Sequence, residues 1–328
     1  MAIGKASDFR IYQEYLRTRI AEILAQNGLA FGAASNGAIR LTTVSKRGDY
    51  EYQSFFTSIS GLISRRDNTS TASVTDLALA QDELISVKVS RKIGPVAQTR
   101  DAFRKMTGRY TETEFTGIIA EMAANGMQLD MLNTGLSAAA QALKNVAASY
   151  HTQTSLGSMD TNTLVDGLAK MGDQASRIVA WVMHSKPYYD LVKQQIAANI
   201  TGVSNFAIAQ ASPVTLNRPV VVTDSTSLIA QLNSPDVNDY YTLGLVADAI
   251  VVENSEEEEI VVQDVTGLET LVVRYQGEYA YNLGVKGFKW DVANGGANPL
   301  AATLATGSNW DTAFTSVKDR AGVTIMTL

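Results

Sequence analysis

Residues 111–146 read TETEFTGIIAEMAANGMQLDMLNTGLSAAAQALKNV. Thr111-Glu112-Thr113-Glu114 has the form of a capping box, with Tyr110 and Phe115 placed as a hydrophobic staple. From there Phe115, Ile118, Met122, Asn125, Leu129, Leu132, Leu136, Ala139, Leu143 and Val146 recur at spacings of three and four, the stripe of one helix face. At 1.5 Å per residue this is a rod on the order of 50 Å, several times an ordinary globular helix. Gly117, Gly126 and Gly135 each weaken it, so tertiary packing has to hold it straight. Its surface lacks the dense flanking charges of a coiled coil. The spacing predicts one long helix lying across a sheet.

Upstream, Ile11, Tyr15, Leu16, Ile20, Ile23 and Leu24 predict an amphipathic helix over 8–26, ended by Gly28, Gly32 and Ser35-Asn36-Gly37. AIRLTTVS (38–45) and YEYQSFF (50–56), joined by Lys46-Arg47-Gly48-Asp49, read as a β-hairpin. SRRDNTSTASVTD (64–76) holds almost no large apolar residue and reads as an exposed tip. ISVKVSRKI (85–93) returns as a strand that Gly94-Pro95 breaks. Downstream, 161–172 predicts a helix, and RIVAWVMH (177–184) a strand buried on both faces. Ser185-Lys186-Pro187 caps the helix that follows, and NRPVVVTDS (217–225) is a second buried strand. Beyond Tyr240 strands dominate. The fold class is α+β.

The chain has 328 residues, no cysteine and two histidines. That leaves no disulfide framework, no thiolate nucleophile and little material for acid–base catalysis at neutral pH. No run approaches the length needed to cross a bilayer. Charge is divided: residues 40–109 carry 12 Lys and Arg against 7 Asp and Glu, whereas 110–328 carry 11 against 23. A basic segment on an acidic body points to nucleic acid or to another copy of the same chain.

Candidate chemistry is sparse. GVKGFKWDVANGGANP (284–299) is rich in glycine but lacks the pattern of a phosphate loop, and its parity is that of a strand followed by turn chemistry. His184-Ser185 invites a serine hydrolase with Ser185 as nucleophile and His151 as base, yet the strained elbow motif is absent and Ser185 is explained as a helix cap. Glu256 to Glu259, with Asp264, admits a hard-cation site, but neighbouring residues of a strand point to opposite faces, so a solvated hairpin tip is expected. Tyr50, Tyr52, Phe55 and Phe56 lie near Lys46 and Arg47 and could stack on bases, although the acidic body repels phosphate. No cofactor or metal motif stands out.

RKIGPVAQTRDAFRKM (91–106), VAWVMHSKPYYDLVKQQI (179–196), NRPVVVTDS (217–225) and GEYAYNLGVKGFKWDVANGGANPLAATLATGSNWD (277–311) resemble major capsid proteins of tailed bacteriophages. The last block is the most specific. The resemblance implies an N-terminal arm (1–37), an extended loop (38–97), a peripheral domain (98–150 with 270–328) carrying the spine helix 111–146, and an axial domain (151–269). It implies a structural shell protein, not an enzyme. Copies would assemble as pentamers and hexamers of an icosahedral virion head around double-stranded DNA, formed in the bacterial cytoplasm with scaffolding and portal proteins. A bacterial nanocompartment shell has the same fold. The intact chain is expected to be used without proteolytic trimming. Packaged DNA is expected to touch the acidic inner wall only weakly, with no membrane partner. Arg65 and Arg66, at the polar tip, are the candidates for bridging subunits.

Overall fold

The computed structural model describes residues 13–43, 48–57, 62–99, 101, 112–152, 157–200, 215–216, 218–232 and 238–328. Along the chain run helix α1 (Gln13–Ala34), strands β1 (Ile39–Thr43), β2 (Tyr50–Phe56) and β3 (Gln81–Thr99), and the long helix α2 (Glu112–Lys144). There follow β4 (Tyr150–Thr152), α3 (Thr161–Ala169), β5 (Ile178–Met183), α4 (Ser185–Ile200), β6 (Val220–Val222) and β7 (Ile229–Leu232). The β-rich end holds β8 (Asn238–Val246), β9 (Ile250–Val265), β10 (Val272–Val285), β11 (Phe288–Trp290), β12 (Trp310–Thr312) and β13 (Gly322–Thr327), with single-turn helices α5 (Val292–Gly295) and α6 (Ala301–Leu304) before β12.

Two sheets organise the molecule, and α2 joins them. A five-stranded sheet has the order β1-β9-β10-β3-β2, and the other runs β4-β13-β8-β5-β6 with β7 also paired to β8. The middle of α2 lies on the first sheet: an added Cβ at Gly135 would sit 3.0 Å from Ile250 and 3.6 Å from Val252, so glycine here sets how closely helix and sheet approach. Its last turn meets the second sheet, where Lys144 Nζ donates to the Tyr241 hydroxyl at 2.6 Å. The rod is therefore held by packing along its length, as its glycines require. Thr111 and the side chains at 112–115, hence the capping box and staple, lie outside the described residues.

Several local expectations are corrected. Of the expected stripe on α2, Leu136, Ala139 and Leu143 are buried, whereas Ile118, Met122 and Leu129 are exposed; along the first half of the helix the packed face is instead Thr116, Ala120, Ala124, Met127 and Met131. Helix α1 does not stop at Gly28 or Gly32; it runs to Ala34 and ends at Asn36 and Gly37, both with positive φ. Gly28 lies over β1, where an added Cβ would meet Leu41 at 3.4 Å.

The expected hairpin of β1 and β2 does not form. Strand β1 pairs in parallel with β9, Ile39 opposite Ile250, and β2 pairs with β3 at the far edge. Nor does Gly94-Pro95 break β3. Ile93 faces Gly277 and Val96 faces Tyr275, so two residues of β3 oppose one of β10 in a β-bulge, with Gly94 at φ +75. Glu256 to Glu259 are interior to β9, not a hairpin tip; the tip is the Gly267 turn between β9 and β10. Strand β6 is an edge strand with Val222 42% exposed, not a buried one.

Candidate inter-subunit surface

The 284–299 stretch becomes β10, a turn at Gly287 with φ +78, β11 and α5. Trp290 and Trp310, both 1% exposed, meet edge to face with ring centroids 4.9 Å apart. Trp290 Nε1 donates to the Gly296 carbonyl and Trp310 Nε1 to the Leu304 carbonyl, each at 3.0 Å. A Cβ at Gly295 would lie 2.1 Å from the Trp290 ring. The glycines make room for indoles. No ligand is needed to explain them.

Ser185 and His151 are not brought together. His151 stands on β4, and β13 and β8 lie between it and β5, roughly 14 Å at ordinary strand spacing. His151 Nε2 instead faces Asp166 at 3.9 Å. The cap of α4 is also shifted by one residue. His184 Nδ1 accepts the Lys186 amide at 3.3 Å and the His184 carbonyl accepts the Tyr188 amide, so His184 caps and Ser185 is the first helical residue. Glu256 pairs with Lys88, Glu258 is buried, and among the described residues no His, Asp or Glu cluster could hold a metal ion. Of the aromatic residues near 46–56, Phe55 packs on Phe314 at 4.7 Å, while Tyr52 and Phe56 are exposed.

Among the described residues, three cations of the basic segment are paired inside the subunit. Arg40 stands 3.6 Å from Asp248, Lys88 pairs with Glu256, and Arg91 Nε donates to Asp130 Oδ2 at 3.1 Å. That same carboxylate oxygen accepts the Tyr279 and Tyr281 hydroxyls at 3.0 and 3.2 Å, a clamp between α2 and the sheet. Burial first, then the Asp130 charge, pushes the Tyr281 phenol up to about 12 and raises Tyr279 also, so both remain donors. Nothing in sequence spacing linked Asp130 to these strands; only the register of β10 on β3 brings them together.

Arg65 and Arg66 lie where expected, in the connector between β2 and β3. Thr57 N and Oγ1 both donate to the Ala80 carbonyl, at 2.9 and 3.1 Å, and close its base. Every residue from 62 to 80 is exposed. Asp67 accepts the Thr69 amide and hydroxyl in a tight turn, and these bonds hold its carboxyl below the ordinary range. Sequence reading missed the apolar residues flanking the tip: Leu62, Ile63, Val74, Leu77 and Leu79 are between 53% and 94% exposed. Their mixed spacing gave no periodic signal.

A second surface lies on the sheet face turned from α2. Residues of all five strands, among them Arg40, Glu51, Leu84, Glu253 and Asn282, line a groove of about 270 Å³. Glu51 accepts from Gln53 Nε2 at 3.2 Å and from Ser86 Oγ at 3.3 Å. Asn282, 4% exposed, has a buried amide oxygen with no hydrogen-bond partner.

No curated protein sequence matches the chain. Solved structures do. A chain of Mycobacterium phage Cain superposes with a TM-score of 0.51 at 10% identity, covering 90% of this chain and 89% of that one. The capsid of Ralstonia phage GP4 gives 0.50 at 14% identity over 89% and 87%, and the capsid of Helicobacter pylori bacteriophage KHP30 gives 0.50 at 9% over 89% and 88%. At such identities the likeness is one of fold. The family model for Gp13-like proteins, described as major capsid protein 13-like, matches residues 8–324, nearly the whole chain. A long helix across a sheet, a loop with apolar side chains and no core, and a histidine–serine pair that is only a helix start are then parts of one shell subunit: the chain belongs to the Gp13-like family of phage major capsid proteins.

Proposed function

We propose that this capsid protein assembles through its extended loop into the pentamers and hexamers of an icosahedral head that encloses double-stranded DNA. The observation that carries this is the loop 62–80, which exposes five large apolar side chains, Ile63 and Val74 almost completely. Covering each such side chain is worth about 1.5–3 kcal/mol, whereas an exposed arginine pair contributes at most about 1 kcal/mol. The apolar residues therefore supply most of the contact energy, and Arg65 and Arg66 orient it. Soluble monomers rarely leave such a set exposed without a partner surface.

The division of labour follows the two sheets. The arm is 1–37, the loop is drawn from 38–97, the peripheral domain holds α2 with the five-stranded sheet, and the axial domain holds the other sheet. Strand β13 pairs with β8 and β4, so residues 322–327 are assigned to the axial sheet, and β9 to the peripheral one. Among the described residues no helix is long and apolar enough to cross a membrane. Assembly in the host cytoplasm, scaffolding and portal partners and weak contact with packaged DNA complete the reading.

Expressed alone, the chain is expected to elute as capsomers or larger particles with rings or shells in negative stain. A monodisperse small oligomer with neither would overturn the reading. Arg65→Glu with Arg66→Glu should leave the melting transition unchanged but reduce closed particles at low salt, with the defect shrinking as salt is raised.

A further inference from the structure

We propose that the three-stranded extension of the five-stranded sheet is built with both of its edges guarded against strand addition, so that copies of the chain do not pair edge to edge. Strand β1 covers β9 only from Ile250 to Asn254. Strand β2 covers β3 only from Gln81 to Val87, with the Asp49 carbonyl accepting the Lys88 amide just beyond. Past those points β9, β10 and β3 run on together, with Val265 and Thr99 on either side of Val272. Among the described residues no strand lies outside this extension on either side. Residues 255–265 of β9 and 89–99 of β3 are therefore two bare sheet edges, whose unpaired amides and carbonyls offer a template to any other strand. Ile260-Val261-Val262-Gln263-Asp264-Val265 keeps regular register on β10 and holds neither proline nor glycine, the composition that stacks most readily.

The two edges are guarded by different means. On β3 the backbone itself is closed off. The Ser90 amide donates to Asn298 Oδ1 at 2.9 Å, the bulge at Gly94 interrupts the register, and Pro95 has no amide to offer. On β9 the means are mostly electrostatic. Two bulges, each with its extra residue on β9, fall between Asn254 and Glu259, and beyond Glu259 the strand is regular. Glu256 and Glu259 are exposed, while Glu258 is turned inward, 6% exposed, with no hydrogen-bond partner for Oε1. An inward-pointing charge is a recurrent device on edge strands. A second copy of β9 laid on this edge would bring its own carboxylates against these and take both sets out of water. Glu259 also stands directly opposite Glu278 on β10, both exposed, with Lys92 beyond Glu278 and not beside Glu259. Like charges so placed weaken the subunit. Folding gives no reason for the pair; an edge that must stay bare does.

The opposed glutamates supply the test, because only one of them is on an edge. Glu259→Val and Glu278→Val each remove one charge, leave one valine exposed and relieve the same repulsion. Both should melt at or above the native temperature. Dissociated subunits of each full chain are returned to assembly conditions and followed by sedimentation and negative stain. Glu259→Val is expected to give at least about threefold more irregular aggregate than the native chain, and Glu278→Val no more than the native chain. Glu259→Lys, which keeps a charge on the edge, should also behave as native. Hydrogen exchange of the Glu259→Val aggregate should show new protection at 260–265, with the rest of the subunit as protected as before. Equal aggregation of Glu259→Val and Glu278→Val, or none from either, would overturn the proposal. So would aggregates that have lost protection throughout, since those come from unfolded chain.

Discussion

The loop at 62–80 and the seam where α2 meets the five-stranded sheet contain the same kinds of residue and treat them in opposite ways. In the seam Arg91, Asp130, Tyr279 and Tyr281 satisfy one another, and on the β11–β12 pair Trp290 and Trp310 are only 1% exposed. In the loop isoleucine, leucine, valine and arginine face solvent. The seam stabilises the subunit; the loop holds its free energy in reserve for a partner. Substitutions should separate the two sharply.

The largest effect is expected at Trp310. Trp310→Ala removes a fully buried indole and should cost about 3–5 kcal/mol in urea or thermal unfolding. A loss below about 1 kcal/mol would show that the tryptophan block is not part of the core. Asp130→Asn comes next. It keeps the shape but removes the charge that Arg91 meets, and because Asp130 is 36% exposed the loss should be about 1–2 kcal/mol.

The same clamp predicts a pH dependence. The Tyr281 pKa is raised by folding, so the stability its neutral form contributes is complete below about pH 10, the ordinary phenol value, and is lost as pH rises toward about 12. Melting followed from pH 9 to 12 checks the sign; rising stability over that range would contradict it.

At the start of α4 the effects are smaller. His184→Ala should cost about 1 kcal/mol as the loss of a cap, and Ser185→Ala less than about 0.5 kcal/mol. The reverse order would return the cap to Ser185. Smallest of all for folding is the loop. Ile63→Ser with Val74→Ser should leave stability within about 0.5 kcal/mol while strongly reducing particles in electron micrographs. A melting shift as large as that of Asp130→Asn would mean that the loop is part of the folded core after all.

How much of this was legible in the sequence follows from the range of the interactions. The rod of α2 was readable because helix periodicity is local, and so was its buried face near the end, at Leu136, Ala139 and Leu143. Along the first half burial instead favours Ala120 and Ala124 over Ile118 and Met122, which tertiary packing decides and periodicity does not. Lys46-Arg47-Gly48-Asp49 has the residues of a turn, yet β1 pairs with a strand from the other end of the chain, which no local signal encodes. Glu256 to Glu259 read as a solvated hairpin tip because four consecutive carboxylates in a strand point to opposite faces and cannot converge on one ion. In place, the bulges of β9 against β10 turn Glu256 toward Lys88, and Glu258 goes inside. Arg65 and Arg66 were found from charge alone, whereas the groove joins five strands and could be seen only after they were assembled.

The parallel pairing of β1 with β9, Ile39 beside Ile250, and of β4 with β13, Tyr150 beside Thr324, also has a consequence in time. Both sheets need strands that lie far along the chain from their partners. At about 5–20 residues per second, the ribosome takes on the order of 10 s or more to supply β9 after β1 has emerged. Until then β1 has no partner strand, and β10, which orders β3 on its other side, has not yet been made. A nascent chain therefore cannot present a finished five-stranded sheet until β9 and β10 have emerged, and copies being made side by side on one message cannot join through it before then. Chain order itself acts as a clock that keeps folding ahead of assembly.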